Sequence, residues 1–192
     1  MESPDAKLIA AYLADEDEAA LAALIERYLK PVYGFVQRMA GSTDAEDITQ
    51  EIFVKVWKNL KKYRSGQSFK TWLYAIARNS CIDFLRKKKS IAFSDFENEE
   101  GDNWLAETLA DPEPLPDETL ARAQNEQLLE NLLNQLSPLY REVLILHYNE
   151  HFTFEEIGAA LGKPLNTVKS QHRRGLAILR RMLDAPKTPS QS

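Results

Sequence analysis

The segment TFEEIGAALGKPLNTVKSQHRRGLAILRR, residues 153–181, limits the fold more than any other stretch, because its punctuation fits two short helices meeting at a sharp angle. Thr153 with Glu156 forms a capping box, so a helix opens there and turns Phe154, Ile157, Ala160 and Leu161 inward. Gly162 is placed to stop it. The turn is expected over Lys163-Pro164-Leu165, and Asn166 is expected to cap the second helix by accepting a bond from a free N–H of its first turn.

At about 100° per residue, Val168, His172, Gly175, Leu179 and Leu183 share one stripe of that second helix, whereas Ser170, Arg173, Arg174, Ala177 and Arg181 lie opposite. The first stripe packs and the second is left for a partner. Arginines and a small hydroxyl near a helix N-terminus suit the DNA major groove, where a guanidinium bonds guanine O6 and N7 together. The plain alternative is a solvated basic face, which the caps, turn and spacing argue against.

The formal charge of −5 argues against a nucleic-acid binder only until its distribution is considered. Residues 61–90 hold nine Lys or Arg against one acid, Asp83, whereas residues 93–118 hold ten Asp or Glu and no base. The N-terminus has no signal-like apolar run and no stretch approaches a membrane span, so a cytoplasmic location is expected. A single cysteine, Cys81, excludes an internal disulfide, and His147, His151 and His172 have no metal-ligand spacing, so neither metal nor cofactor is expected.

Apolar residues recur at helical spacing almost throughout, which predicts an all-α chain of two small helical domains joined by a flexible acidic linker. Residues 6 to about 40 give two amphipathic helices, the second built on Leu21, Leu24, Ile25, Tyr28, Val32, Phe35 and Met39, ended by Gly41 and with Pro31 as a kink point. A capping box from Thr43 to Glu46 is expected to start the next helix, with Ile48, Ile52, Phe53, Val56 and Leu60 inward and Asp47, Gln50 and Glu51 outward. Ser68 is the cap for a long helix from Phe69 to about Lys89. The expected domains are residues 1–92 and 119–184, with a linker at 93–118 that is rich in acid and proline and a disordered tail at 185–192. Ser137-Pro138 opens a helix that leads into the helix-turn-helix.

On the long helix, Phe69, Leu73, Ile76, Ala77, Ser80 and Phe84 form the face expected in the core, and Trp72, Ala75, Asn79, Ile82 and Arg86 form another row. That row, with Arg78 beside it and Arg86 to Lys89 at its end, is a candidate for unpaired bases and phosphates. Trp72 more simply packs in the core, Asn79 has a structural alternative, and the lysine run also suits a solvated helix end.

DAEDITQEIFVKVW at 44–57 resembles sigma region 2.2, FKTWLYAIARNSCIDFLRKK at 69–88 resembles regions 2.3 and 2.4, and residues 136–181 resemble region 4. In this order they resemble the extracytoplasmic-function sigma factors of the sigma-70 family. The resemblance implies a promoter-targeting subunit of RNA polymerase that is not itself an enzyme. It places Asp47, Gln50 and Glu51 on the clamp helices of the largest core subunit, and Asn79, Arg78, Arg86 and Lys87, with Arg64 nearby, at the minus-10 element. Ser170, Arg173 and Arg174 would read the minus-35 element, with Thr167 and Lys169 on phosphate. The implied partners are core polymerase, promoter DNA and an anti-sigma factor. His172 and Arg173 stand where the family pattern is usually apolar, or for Arg173 often aromatic, so the promoter sequence does not carry over. A dimeric helix-turn-helix regulator is the competing reading. Residues 1–92 lack the alternating strands and helices of a receiver domain.

Overall fold

The structure, a computed structural model, describes residues 3–63, 68–89 and 126–184. Every regular element among them is helical. Arg64, the 93–118 linker, the expected start of the second domain at residue 119 and the tail lie outside the described residues.

Helix α1, Pro4–Asp15, starts where Ser3 Oγ accepts from the Ala6 N–H at 3.2 Å, with Pro4 at the position that has no use for a donor. Helix α2, Glu18–Ala40, is capped by Asp17, whose carboxylate accepts from the Ala19 and Ala20 N–H groups. It runs through Pro31 to Gly41, which takes a positive φ of 97° and so ends it. Helix α3, Ala45–Asn59, continues into a 3-10 turn at Leu60–Lys62. The capping box expected at Thr43–Glu46 is not formed, because the cap position falls on Asp44. Asp44 gives its carboxylate to Lys88 at 2.6 Å instead, and Glu46 faces Gln50. Helix α4, Phe69–Lys89, begins as expected at Ser68, whose hydroxyl oxygen and carbonyl accept from Thr71 and Trp72.

Four further helices follow: α5 Glu126–Gln135, α6 Pro138–Tyr148, α7 Phe154–Leu161 and α8 Leu165–Asp184. The Thr153–Glu156 box is complete, with Glu156 N–H bonded to Thr153 Oγ1 at 3.2 Å and Thr153 N–H to the Glu156 carboxylate at 2.8 Å. Gly162, at φ 66°, closes α7 in the left-handed region. The second helix opens earlier than its sequence suggests. Val168 N–H already bonds the Pro164 carbonyl at 3.1 Å, so Leu165 is helical and Asn166 sits inside the first turn rather than capping it.

Leu24, Tyr28, Val32, Phe35 and Met39 of α2 pack on Ile48, Ile52, Phe53 and Val56 of α3 and on Leu73, Tyr74, Ala77 and Cys81 of α4. Val143, Ile145 and Leu146 of α6, Phe152, Ile157 of α7 and Val168 of α8 belong to the same apolar cluster. Each fully buried aliphatic or aromatic side chain there contributes about 1.5–3 kcal/mol. A smaller cluster joins Leu132, Leu133 and Leu136 to Leu144, Leu176 and Leu179. The first cluster explains why α4 is buried more widely than its amphipathic pattern indicates, since α2 and α3 cover one side and α6 and α7 another.

Three buried charges span these contacts. Arg141 donates to the carbonyls of Asn134 and Leu136 at the end of α5 and of Met39 near the end of α2, so one guanidinium satisfies the orphan acceptors of two helices. Glu142 has no exposed surface. It accepts from Arg78 Nε of α4 at 2.8 Å and from Lys163 of the α7–α8 turn at 3.0 Å. Glu150 accepts from the Tyr74 hydroxyl through its carboxylate and from Lys70 through its carbonyl. Lys70, Tyr74 and Arg78 recur every fourth residue, so they line one face of α4. Replacing Glu142 with Ala is expected to cost about 3 kcal/mol in urea unfolding, the low end for breaking a buried pair, because Arg78 and Lys163 can turn toward water. An unchanged midpoint would show that the apolar contacts alone hold α4 against α6.

Candidate nucleic-acid interface

Helix α8 buries Val168, Gln171, Gly175, Leu176 and Leu179 and leaves Lys169 and Arg173 exposed, with Thr167, Ser170 and Arg174 half-buried beside them. The five minus-35 candidates therefore share one accessible side near the helix N-terminus. Gly175 is small for a reason: a Cβ there would meet Leu144 Cδ1 at 3.2 Å and Tyr140 Cβ at 3.3 Å, so α8 and α6 could not come so close. The Ser170 hydroxyl donates to the Thr167 carbonyl at 2.9 Å, which leaves its oxygen as an acceptor. The turn lysine, Lys163, faces inward to Glu142 and to Gln171 Oε1 at 3.1 Å. Buried Gln171 falls between the two stripes drawn from the sequence, and its structural role had no periodic signal.

His172 is half-buried, as its place in the packing stripe predicts. Its Nε2 lies 3.1 Å from the Tyr148 hydroxyl, its ring stacks near Tyr148, and His147 and Phe154 meet it edge-on. Burial, helped by nearby His147, pushes its pKa down to about 4. The imidazole is thus a neutral packing group between α8, Tyr148 and Phe154.

On α4 the row proposed for unpaired bases is only partly open. Asn79 and Arg86 are exposed, and so is Lys87 beyond them. Ile82, however, lies in the core at 4% exposure, and half-buried Trp72 packs against Tyr63 and Phe69 with ring centroids 5.5 and 5.7 Å away. Trp72 and Ile82 are therefore withdrawn from the row, because a helix covered on several sides has no room for a long free aromatic stripe. Arg78 is engaged twice, by Glu142 and through Nη1 to Asn79 Oδ1 at 3.2 Å.

On α3, Asp47, Gln50 and Glu51 face outward as expected. Glu51 pairs with Lys55 at 2.7 Å, which holds its carboxyl below the usual range, and Lys55 also donates to Ser80 of α4. The same face continues into Val54 and Trp57, 45% and 51% exposed, which the sequence reading did not single out. Their spacing of three and four residues from Gln50 onward was the available signal.

A family profile described as Sigma-70 region 2 matches residues 24–91, and one described as Sigma-70, region 4 matches residues 126–179. The chain is 34% identical over 170 residues to the ECF RNA polymerase sigma factor SigW of Bacillus subtilis, covering 87% of this chain and 90% of that protein. In fold it is similar to CnrH, solved with the cytosolic domain of CnrY, at a TM-score of 0.68 and 22% identity over 95% of this chain and 99% of that one. It is also similar to RpoE of Bartonella quintana, solved with the anti-sigma factor NepR, at a TM-score of 0.62 and 24% identity over 85% of this chain and 96% of that one.

Between pH 6.5 and about 4 an unfolded chain protonates His172 while the folded one does not. The stability tied to this site is therefore complete above pH 6.5 and falls as the pH drops toward 4. His172→Phe is expected to flatten that acid limb in urea unfolding followed across pH. The same slope in the variant would remove the neutral imidazole from the account.

Proposed function

The chain belongs to the ECF group of RNA polymerase sigma factors, and on that premise we propose how its surfaces divide the work of promoter recognition. Ser170, Arg173 and Arg174 read base edges in the major groove of the minus-35 element, while Thr167 and Lys169 hold phosphate. The observation that carries this is the accessible α8 face, which gathers these five residues on a helix otherwise packed against α6 and α7. Asn79, with Arg86, Lys87 and Arg64, engages the opened minus-10 strand. Flipping a base costs a few kcal/mol, which stacking and amide bonds there must offset. Arg78 joins them only by leaving Glu142, so minus-10 engagement is coupled to separation of α4 from α6.

Asp47, Gln50 and Glu51 dock on the clamp helices of the core enzyme, with Val54 adding apolar contact at the end of that face. Chemistry stays with the polymerase, so the chain is a targeting subunit rather than an enzyme. It works in the cytoplasm, and no helix among the described residues is long and apolar enough to cross a membrane. Its two domains, residues 1–92 and 119–184, are joined by the acidic 93–118 linker, which follows the basic RNA-exit path of the polymerase until the transcript displaces it. An anti-sigma factor, such as accompanies RpoE of Bartonella quintana, is the natural inhibitor. A dimeric regulator has no use for residues 24–91, which match region 2.

Run-off transcription with purified core polymerase and a random promoter library tests the reading as a whole. Within it, Arg174→Ala is expected to weaken the selected upstream element by about 1–3 kcal/mol while leaving binding to unrelated duplexes unchanged. A uniform loss across all sequences would reassign Arg174 to phosphate. Gln50→Ala combined with Glu51→Arg is expected to abolish capture of core polymerase on the immobilised chain, and full capture would move the docking face elsewhere.

A further inference from the structure

A groove of about 840 Å³ separates α2 from the start of α4 and the α6–α7 loop, and no residue of α3 or α8 lines it. Four cations line it: Arg27, Lys30 and Arg38 of α2, and Lys70 of α4. On α2 they share one stripe with Gly34 between them, at spacings of three and four residues. A Cβ on Gly34 would lie 3.0 Å from Arg38 Nη1, so a side chain there would make the Arg38 guanidinium shift along the stripe.

Neutralising acid is scarce here, in a chain with 29 Asp and Glu. Asp5 pairs with Arg27, and the one carboxylate on the wall, Glu150, is buried at 7% exposure and occupied by the Tyr74 hydroxyl. Arg38 and Lys70 both stand near enough to Glu150 to favour its ionised form, yet burial still raises its pKa. With Arg27 matched by Asp5, the other three cations, Lys30, Arg38 and Lys70, face the single carboxylate of Glu150, itself engaged by Tyr74. Cations gathered without their own counterions are best balanced by an anion from outside.

The volume lies within the roughly 300–1,000 Å³ usual for small-molecule sites. Tyr33, 38% exposed, and Pro31 give the groove an apolar edge of the kind a planar ring can lie on. The far wall is Asn149, Glu150 and His151, with His151 held at φ 57°, a left-handed conformation uncommon for a non-glycine residue.

We propose that this groove binds a phosphate-bearing small anion of nucleotide size, with Lys30 and Arg38 holding phosphate and Tyr33 facing the ring. Such a ligand touches α2 and the α6–α7 loop together, so it favours the arrangement in which Arg78 is held by Glu142. This regulatory consequence rests on the sigma-factor reading, whereas the binding itself does not.

The test uses the full chain with inorganic tripolyphosphate, ATP and, at matched ionic strength, sulfate. Calorimetry is expected to show saturable one-to-one binding of the first two, with a raised melting midpoint and slower hydrogen exchange in α4 and α6. Lys30→Glu with Arg38→Glu is expected to lose all three responses. Lys30→Glu alone, an exposed change that leaves the core untouched, is expected to weaken them. Responses that sulfate reproduces, or that survive both variants, overturn the site. So does capture of a synthetic peptide of residues 93–118 without capture of tripolyphosphate, which would give the groove to the chain's own acidic segment. A chain that binds tripolyphosphate yet fails in run-off transcription without added anion would fail as a sigma factor and leave the groove standing.

Discussion

A carboxylate removed from water must be neutralised where it lies, and Glu142 is neutralised from two directions at once. Arg78 comes from α4 and Lys163 from the turn of the helix-turn-helix, so one buried charge fixes both the docking of the C-terminal helices on α4 and the shape of the turn that aims α8. The apolar cluster around Leu73, Tyr74, Ile157 and Val168 supplies the bulk of the cohesion. The ion pairs add a directional requirement, since the buried Glu142 carboxylate keeps its partners only while α4 and the turn stay in place.

The same arrangement explains how an acidic chain carries surfaces for DNA. Its cations are most numerous on α4 and α8, and several across the chain are matched at once by a partner in the fold: Lys88 by Asp44, Lys55 of α3 by Glu51, Arg27 of α2 by Asp5. Pairs this exposed contribute little stability. Their effect is to orient long side chains before any partner arrives and to reduce the field that the isolated chain presents to a polyanion.

Much of this was legible in the sequence. The Thr153–Glu156 box, Gly162, the Ser68 cap and the outward face of α3 all follow from local backbone chemistry, which depends on neighbours within a turn. What was not legible depends on contacts between residues far apart in the chain. Thr43 loses the cap position to Asp44, whose carboxylate goes to Lys88, Ile82 leaves the expected open row for the core, and Arg141 and Glu142, polar residues in an amphipathic helix, turn out to be its most deeply engaged side chains. Lys163, read from the sequence only as part of the turn, is committed inside. Periodicity locates a face but does not reveal which of two neighbours will cover it.

The sulfur of Cys81 sits in the seam that these contacts seal, and burial, with Glu142 nearby, pushes its thiol up to about 12. A thiol so far from ionising is a poor nucleophile, so Cys81 reacts slowly with peroxide and alkylating reagents while the helices stay closed. The rate at which this sulfur reacts therefore becomes a clock for how often α4 parts from the helices packed on it.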